Sequence, residues 1–168
     1  MEEWIEAGKI AKEAREFGKS LIKEDAKIIE VAEQIENKIK ELGGKPAFPV
    51  GLSVNSMAAH DSPLLNDSRV FRKRDIVKLD MGAHVNGKIA DTACTIEIGT
   101  KDNTKLIEAS EEALNNAIKA VQPGIYVSEL GRVIQETITA YGFSPVRNLS
   151  GHLIKEYIAS EVNSKRTN

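Results

Sequence analysis

The chain has 168 residues, of which 41% are hydrophobic and 29% charged, and its formal net charge is −2. These values are typical of a globular domain with its own core, and so small a charge gives no electrostatic basis for binding nucleic acid. No segment approaches the roughly 20 consecutive apolar residues that a membrane-crossing helix needs. The single cysteine, Cys94, cannot form an internal disulfide, so we expect a cytoplasmic protein. From the charge and the lack of a long apolar segment, we expect no nucleic-acid or membrane partner.

Four helices are predicted, in two pairs. Apolar residues at helical spacing predict a helix at about 4–21 and another at about 26–42, which Gly43-Gly44 ends. After Gly99, the same spacing predicts a third helix at roughly 103–122. A fourth follows, with Ser128 as its N-cap, and ends before Gly142.

A β-hairpin is predicted between the two helix pairs. Asn86-Gly87 separates two alternating, β-branched segments, and both residues tolerate the positive φ of a type I′ turn. A two-residue turn pairs Val85 with Lys88, and it brings Asp80 and Asp91 to one face as diagonal neighbours about 7 Å apart or less. The opposite face carries a conventional core surface, made up of Val77, Leu79, Met81, Ala83, Ala90, Cys94, Ile96 and Ile98.

The two aspartates on one strand face need an explanation, because Asp is disfavoured in strands. One interpretation is a solvent-facing surface on which both carboxylates are hydrated. The other is a pair of metal ions spaced about 3.5–4 Å, which would bind hard oxygen ligands and relieve the repulsion between the carboxylates. The apolar surroundings of the pair favour the metal site.

The two helix pairs resemble each other at a constant offset of 99 residues. Apolar positions coincide, and so do the terminating glycines Gly43 and Gly142 and the prolines Pro46 and Pro145. The sequence therefore favours an internal duplication. A second hairpin equivalent to the first would fall beyond the end of the 168-residue sequence.

Three histidines are candidates for the site. His84 is expected to be exposed at the hairpin tip and not a ligand, since it lies about 13 Å along the strand from Asp80. His60 ends an irregular segment before Asp61-Ser-Pro63, where side chains often project into a cleft. His152 follows Gly151, which permits close backbone approach. Taken singly, each is as consistent with an ordinary surface histidine as with a site residue.

Three motifs together resemble a known family. Phe48-Pro-Val-Gly-Leu-Ser-Val-Asn-Ser-Met-Ala-Ala-His60, Lys78-Leu-Asp-Met-Gly-Ala-His-Val-Asn-Gly-Lys-Ile-Ala-Asp-Thr-Ala93 and Asn148-Leu-Ser-Gly-His152 are similar, in order and spacing, to type 2 methionine aminopeptidases of the archaeal kind. The resemblance covers about residues 2–157 and implies the duplicated pita-bread α/β fold. That fold would be incomplete here, with a helix pair, a β-hairpin, a second helix pair and a truncated second repeat. Residues 1–157 would form the amino-terminal part of a metallopeptidase catalytic domain, and 158–168 a divergent polar tail.

The resemblance also implies roles. Asp80, Asp91 and His152 would be metal ligands, and His60 would lie outside the metal shell as a catalytic and substrate-binding residue. The implied cofactors are two divalent ions (cobalt, manganese, iron or zinc) that activate water for hydrolysis. The implied reaction removes the initiator methionine from nascent polypeptides, whose N-termini would be the partners, in the cytoplasm and near the ribosome.

The chain departs from the family pattern at its end. Complete members carry two glutamate ligands in the second half and a further substrate histidine a few residues after the one matching His152. Ser160 stands where that histidine is expected, and no later residue supplies the glutamates. Three side chains are few for two metal ions, so we expect the isolated chain to be inactive or impaired.

Two other interpretations remain open. A non-catalytic pita-bread module would bind proteins or RNA, although such modules usually lose the metal ligands that are present here. A proline-directed dipeptidase of the same fold would prefer peptides that begin Xaa-Pro over those that begin Met-Gly.

Overall fold

A computed structural model describes residues 1–161, and of Glu161 only the backbone. The chain divides into two compact units, Met1–Thr100 with His152–Asn168, and Lys101–Gly151. No helix in residues 1–161 is both long and apolar enough to cross a membrane.

The first unit begins with two helices. Helix α1 spans Glu2–Leu21 and α2 spans Ile28–Glu41, close to the bounds that the apolar spacing predicts. Leu42 N–H donates to the Lys38 carbonyl, and Gly43 follows at φ 89°, a left-handed conformation that glycine adopts without strain and that ends the helix. Both helices bury one face, as amphipathic helices at a protein surface do.

An antiparallel sheet completes the first unit. Its central strand is β3, Ile76–Val85, which pairs along one edge with β4, Lys88–Glu97. Two shorter strands, β1 (Lys45–Pro46) and β2 (Gly51–Val54), pair with β3 along its other edge. Helix α1 packs against β3 and β4. The buried core between helices and sheet consists of Ile10, Ala11, Ala14, Ile22, Ile28, Val31, Ala32, Ile35, Ile39, Val50, Leu52, Phe71, Val77, Leu79, Met81, Ala83 and Ile98.

The second unit is a helix pair. Helix α3 spans Thr104–Ala120, and α4 spans Val127–Ala140 and packs against it. The prediction that Ser128 is the N-cap of the fourth helix is wrong. Tyr126 is the N-cap, with extended backbone, and its carbonyl accepts the N–H of Glu129, so Ser128 lies within the first turn. Large apolar side chains of α3 are exposed, among them Leu114 at 57% and Ile118 at 60%.

The internal repeat is visible in the backbone. Helices α2 and α4 both have 14 residues, and they begin and end 99 positions apart. Helices α1 and α3 also end 99 positions apart, each followed by an extended residue, Ile22 or Val121. Gly43 and Gly142 both have left-handed φ angles, 89° and 85°. The second helices of the two pairs therefore match at both ends, whereas the first helices match only where they end, because α1 has 20 residues and α3 has 17.

A small hairpin belongs to the first unit. Strand β5, Leu153–Lys155, pairs with β6, Ile158–Glu161, and both contact β4. Part of the segment predicted as a divergent tail, 158–168, therefore forms a strand, while 162–168 lie outside the described residues. The domain bounds proposed from the sequence stay a prediction.

Candidate metal centre

Asp80 and Asp91 project from the same face of the β3–β4 hairpin. Asp80 pairs with Ala93 and Gly82 with Asp91, so the two aspartates are diagonal cross-strand neighbours, as the two-residue turn predicts. Asn86 and Gly87 have φ angles of 47° and 84°, both left-handed as a type I′ turn requires. On the opposite face, Leu79 and Met81 are fully buried in the core. The burial of that face fixes the strand register and hence the side of the sheet on which the aspartates lie.

The aspartate face forms one wall of a cavity of about 290 Å³. All four residues singled out from the sequence, His60, Asp80, Asp91 and His152, line it. They come from three places in the first unit: the segment after β2, the hairpin, and the residue that precedes β5. Sequence-distant polar groups therefore meet around a common space, although their roles stay a prediction.

The two carboxyl groups are electrostatically unfavourable as they stand. Burial, followed by the negative charge of Asp91, raises the pKa of the Asp80 carboxyl, and His60 and His152 oppose this rise only in part. Burial also raises the pKa of Asp91, against the influence of His152. Both aspartates would therefore be stabilised as anions by an added positive charge.

The imidazole of His152 lies beside Asp91. Its Nε2 lies 3.7 Å from Oδ2 of Asp91, beyond hydrogen-bond distance but within reach of an ion pair when the ring is protonated. The His152 side chain is 36% exposed and that of Asp91 25%, so both remain accessible from the cavity.

His60 is held by its neighbour Asp61. The Asp61 carbonyl accepts the N–H of Leu52 in β2 at 2.8 Å, and its carboxylate accepts two hydrogen bonds from Arg69, at 2.7 and 3.0 Å. His60 itself has φ 64°, a left-handed conformation uncommon outside glycine. Backbone outliers of this kind are frequent at functional sites. The imidazole of His60 is exposed and lines the same cavity as Asp80.

The side chains that meet at this cavity are of the chemical types that bind divalent metal ions. Two carboxylates with raised pKa and one imidazole are the ligand types that Mn²⁺, Fe²⁺, Co²⁺ and Zn²⁺ accept. Within the described residues, no three His, Cys, Asp or Glu side chains are close enough together to hold an ion as they stand. Asp80, Asp91 and His152 would therefore provide only part of a coordination sphere, and their role as ligands stays a prediction.

Other residues also line the cavity, and the sequence analysis gave Phe48 among them no role of its own. Phe48 supplies an apolar wall, and it packs so closely on Gly82 that a Cβ there would lie 2.5 Å from the Phe48 ring. The sequence does carry a signal for this contact, because a glycine inside a strand, here Gly82, often marks the close approach of another group. Ser160, which stands where the family has a second substrate histidine, also lines the cavity. The departure from the family pattern therefore lies within the site.

His84 is not exposed, contrary to the prediction. It is half-buried, because the ring of Tyr157 packs against it edge-to-face with 5.6 Å between the ring centroids. Its Nδ1 accepts the N–H of Gly87 at 3.2 Å. These contacts use the imidazole within the hairpin tip, away from the cavity.

Replacing Asp80 by asparagine should stabilise the metal-free protein at neutral pH. Because its folded-state pKa is raised, the Asp80 carboxyl favours folding below its ordinary pKa, and this contribution is lost as the pH rises through the raised value. We expect the melting temperature of Asp80→Asn in chelator to exceed that of the wild type at pH 7.5 by about 2 °C, and the difference to shrink at pH 4.

Asp25→Asn is the matched control for this prediction, because Asp25 is on an exposed turn and has the left-handed φ of 63° that asparagine also tolerates. It should leave the melting temperature unchanged at both pH values. A neutral-pH melting temperature lower in Asp80→Asn than in the wild type would contradict the argument.

Comparison with known proteins identifies the family of this chain. The family model described as metallopeptidase family M24 matches residues 2–166. A methionine aminopeptidase of Methanocaldococcus jannaschii is 50% identical over 156 residues, which are 93% of this chain and 53% of the relative. The chain thus spans about half the length of that relative.

Solved structures show the same fold. A methionine aminopeptidase from Thermotoga maritima superimposes with a TM-score of 0.87 at 30% identity, covering 96% of this chain and 68% of the other. A prolidase from Pyrococcus furiosus gives 0.74 at 30% identity, covering 84% of this chain and 42% of the other. The chain belongs to metallopeptidase family M24, with the pita-bread α/β architecture, and its family implies divalent metal as cofactor. The predicted resemblance to archaeal methionine aminopeptidases is confirmed.

Proposed function

We propose that this chain carries the amino-terminal part of a methionyl aminopeptidase site, which removes the initiator methionine from polypeptides in the cytoplasm. The observation that supports this most is the convergence of Asp80, Asp91 and His152 on one cavity in a chain 50% identical to a methionine aminopeptidase. In this proposal the three side chains bind two divalent ions, of cobalt, manganese, iron or zinc. The substrates are the N-termini of nascent polypeptides, met near the ribosome.

Each residue has a defined part in the proposed reaction. When bound, divalent ions supply the Lewis acidity that hydrolysis of a peptide bond at neutral pH requires. Asp80 and Asp91, on one face of the hairpin, would hold the ions, and His152 would add a nitrogen ligand beside Asp91. His60, which lines the same cavity, donates a hydrogen bond to the carbonyl of the first peptide bond and orients it. Phe48 and Pro49 form the apolar wall against which the methionine side chain packs.

Substrate binding tests this function. With Mn²⁺ or Co²⁺ present, a peptide that begins Met-Gly should bind the protein more tightly than the same peptide with an acetylated amino group, because the α-amine is expected to reach the metal site. Calorimetry measures both affinities, and mass spectrometry measures methionine release. We expect the release to be slow, because the described residues offer only three metal-binding side chains for two ions.

The alternatives give different results in the same experiment. A proline-directed dipeptidase would bind and cleave an Xaa-Pro peptide in preference to the Met-Gly peptide. A non-catalytic module would show no metal-dependent binding of either one. The identity of 50% to a methionine aminopeptidase over 93% of this chain supports the methionine substrate. At the same 30% identity, the solved methionine aminopeptidase also superimposes better than the prolidase, with TM-scores of 0.87 and 0.74.

A further inference from the structure

His152 reaches the site on a short hairpin rather than on a long element. It immediately precedes β5, and β5 and β6 are strands of only three and four residues. Two strands so short are not stable alone in water. The position of His152 relative to Asp91 therefore depends on what holds this hairpin in place.

The tip of the small hairpin is docked on the tip of the large one. The Tyr157 N–H donates to the Gly87 carbonyl at 2.9 Å. The Tyr157 ring covers Gly87, where a Cβ would come within 2.5 Å of the ring, and it also packs edge-to-face on His84. Beside this contact, the Lys88 ammonium group forms an ion pair with the Glu156 carboxylate. One backbone hydrogen bond, one aromatic contact and one ion pair thus join the two turns.

The backbone at Tyr157 indicates that the contact is selected rather than incidental. Tyr157 has φ 60°, the left-handed region, where a bulky residue is a genuine outlier and glycine would be unstrained. The aromatic side chain is present despite that strain, and the bare backbone of Gly87 opposite leaves room for it. A strained residue that makes a specific long-range contact points to a functional constraint.

We propose that Tyr157 and Glu156 are positioning residues that hold His152 beside Asp91 by docking the β5–β6 hairpin on the Asn86–Gly87 turn. This inference deepens the proposed function. It rests on that function for one consequence, namely that the docking of the β5–β6 hairpin sets the metal affinity. Neither residue lines the cavity, so their effect on the site passes through the hairpin backbone. Partners that orient ligands in this way typically change metal affinity by about 10–100-fold when lost.

The matched variants are Tyr157→Asn and Tyr157→Phe. Asparagine tolerates the left-handed backbone but removes the ring, whereas phenylalanine keeps the ring and loses only the hydroxyl group. In metal-free protein, NMR should show Tyr157→Asn with faster hydrogen exchange at amide 157 and a His152 ring signal shifted towards the unfolded value. Tyr157→Phe should match the wild type in both. With Co²⁺, followed by visible absorption, the affinity of Tyr157→Asn should fall about 10-fold.

Charge reversal tests the ion pair independently. Lys88→Glu and Glu156→Lys should each weaken Co²⁺ binding a few-fold, a small effect because Glu156 is 54% exposed and the pair is screened by solvent. The double variant should restore the wild-type affinity, which loss of folding could not do.

Two outcomes separate the inference from the proposed function. An unchanged His152 signal in Tyr157→Asn would overturn the positioning role. A His152 ring signal shifted towards the unfolded value in Tyr157→Asn, together with no Co²⁺ binding by the wild type, would support the positioning role and contradict the metal function.

Discussion

Replacing Asp91 by asparagine is expected to lower the affinity of the protein for Mn²⁺ or Co²⁺ by at least about 100-fold, beyond the loss typical of an outer-shell partner. Asp91 is a diagonal neighbour of Asp80 on the sheet, and its Oδ2 lies 3.7 Å from Nε2 of His152. The substitution removes a negative charge that burial makes costly in the absence of a cation. Isothermal titration calorimetry measures the loss directly.

Thermal unfolding provides a second measurement of the same prediction. A ligand that binds only the folded state stabilises it by about 2.7 kcal/mol at 100 times its Kd, so saturating Mn²⁺ should raise the wild-type melting temperature and leave that of Asp91→Asn almost unchanged. Asp25→Asn, with the same charge change on an exposed turn, should behave as the wild type. Equal affinities of Asp91→Asn and the wild type would contradict the assignment of Asp91 as a ligand.

Two glycines of one helix should respond in opposite directions to the same substitution. A Cβ at Gly18 would lie 2.6 Å from Cδ1 of Ile35 and 3.0 Å from Cδ2 of Leu79, both fully buried, so the packing of α1 on α2 and β3 would have to shift. Overpacking of this kind costs about 1–3 kcal/mol, which exceeds the gain of up to about 1 kcal/mol in helix propensity. Gly18→Ala should therefore lower the free energy of unfolding.

Gly8 is the matched control. It lies in the same helix α1, and a Cβ there would meet nothing within 4 Å. Gly8→Ala should raise the free energy of unfolding by about 0.5–1 kcal/mol, the propensity difference between the two residues. Urea denaturation measures both variants. If both alanines stabilise the protein, the close approach at Gly18 does not limit packing.

Local patterns predict most of the first unit. The Asn86-Gly87 turn predicts the register of β3 and β4, because a two-residue loop determines which residues face each other and hence that Asp80 and Asp91 share a face. The offset of 99 residues predicts equal bounds for α2 and α4. Helix starts are less well predicted: Ser128 has a suitable side chain, yet the backbone makes Tyr126 the N-cap.

The cavity depends on contacts that no short pattern encodes. The approach of His152 to Asp91 joins residues far apart in sequence, and it follows from the docking of Tyr157 on Gly87, which no periodicity indicates. His60 lines the same cavity, and its neighbour Asp61 forms an ion pair with Arg69 that no short pattern predicts. The family resemblance predicts both histidines as site residues. From the residues alone, each is as consistent with an ordinary surface histidine as with a site residue.

The two-residue turn at Asn86–Gly87 also governs which genetic changes the hairpin can accept. A missense change elsewhere in the hairpin alters one side chain. One extra codon within the turn would shift the pairing of β4 by a residue, exchange its two faces, and turn Asp91 towards the hydrophobic interior. Variation in length is therefore far more damaging at this tip than variation in composition, and natural variants of this hairpin should keep its loop at two residues.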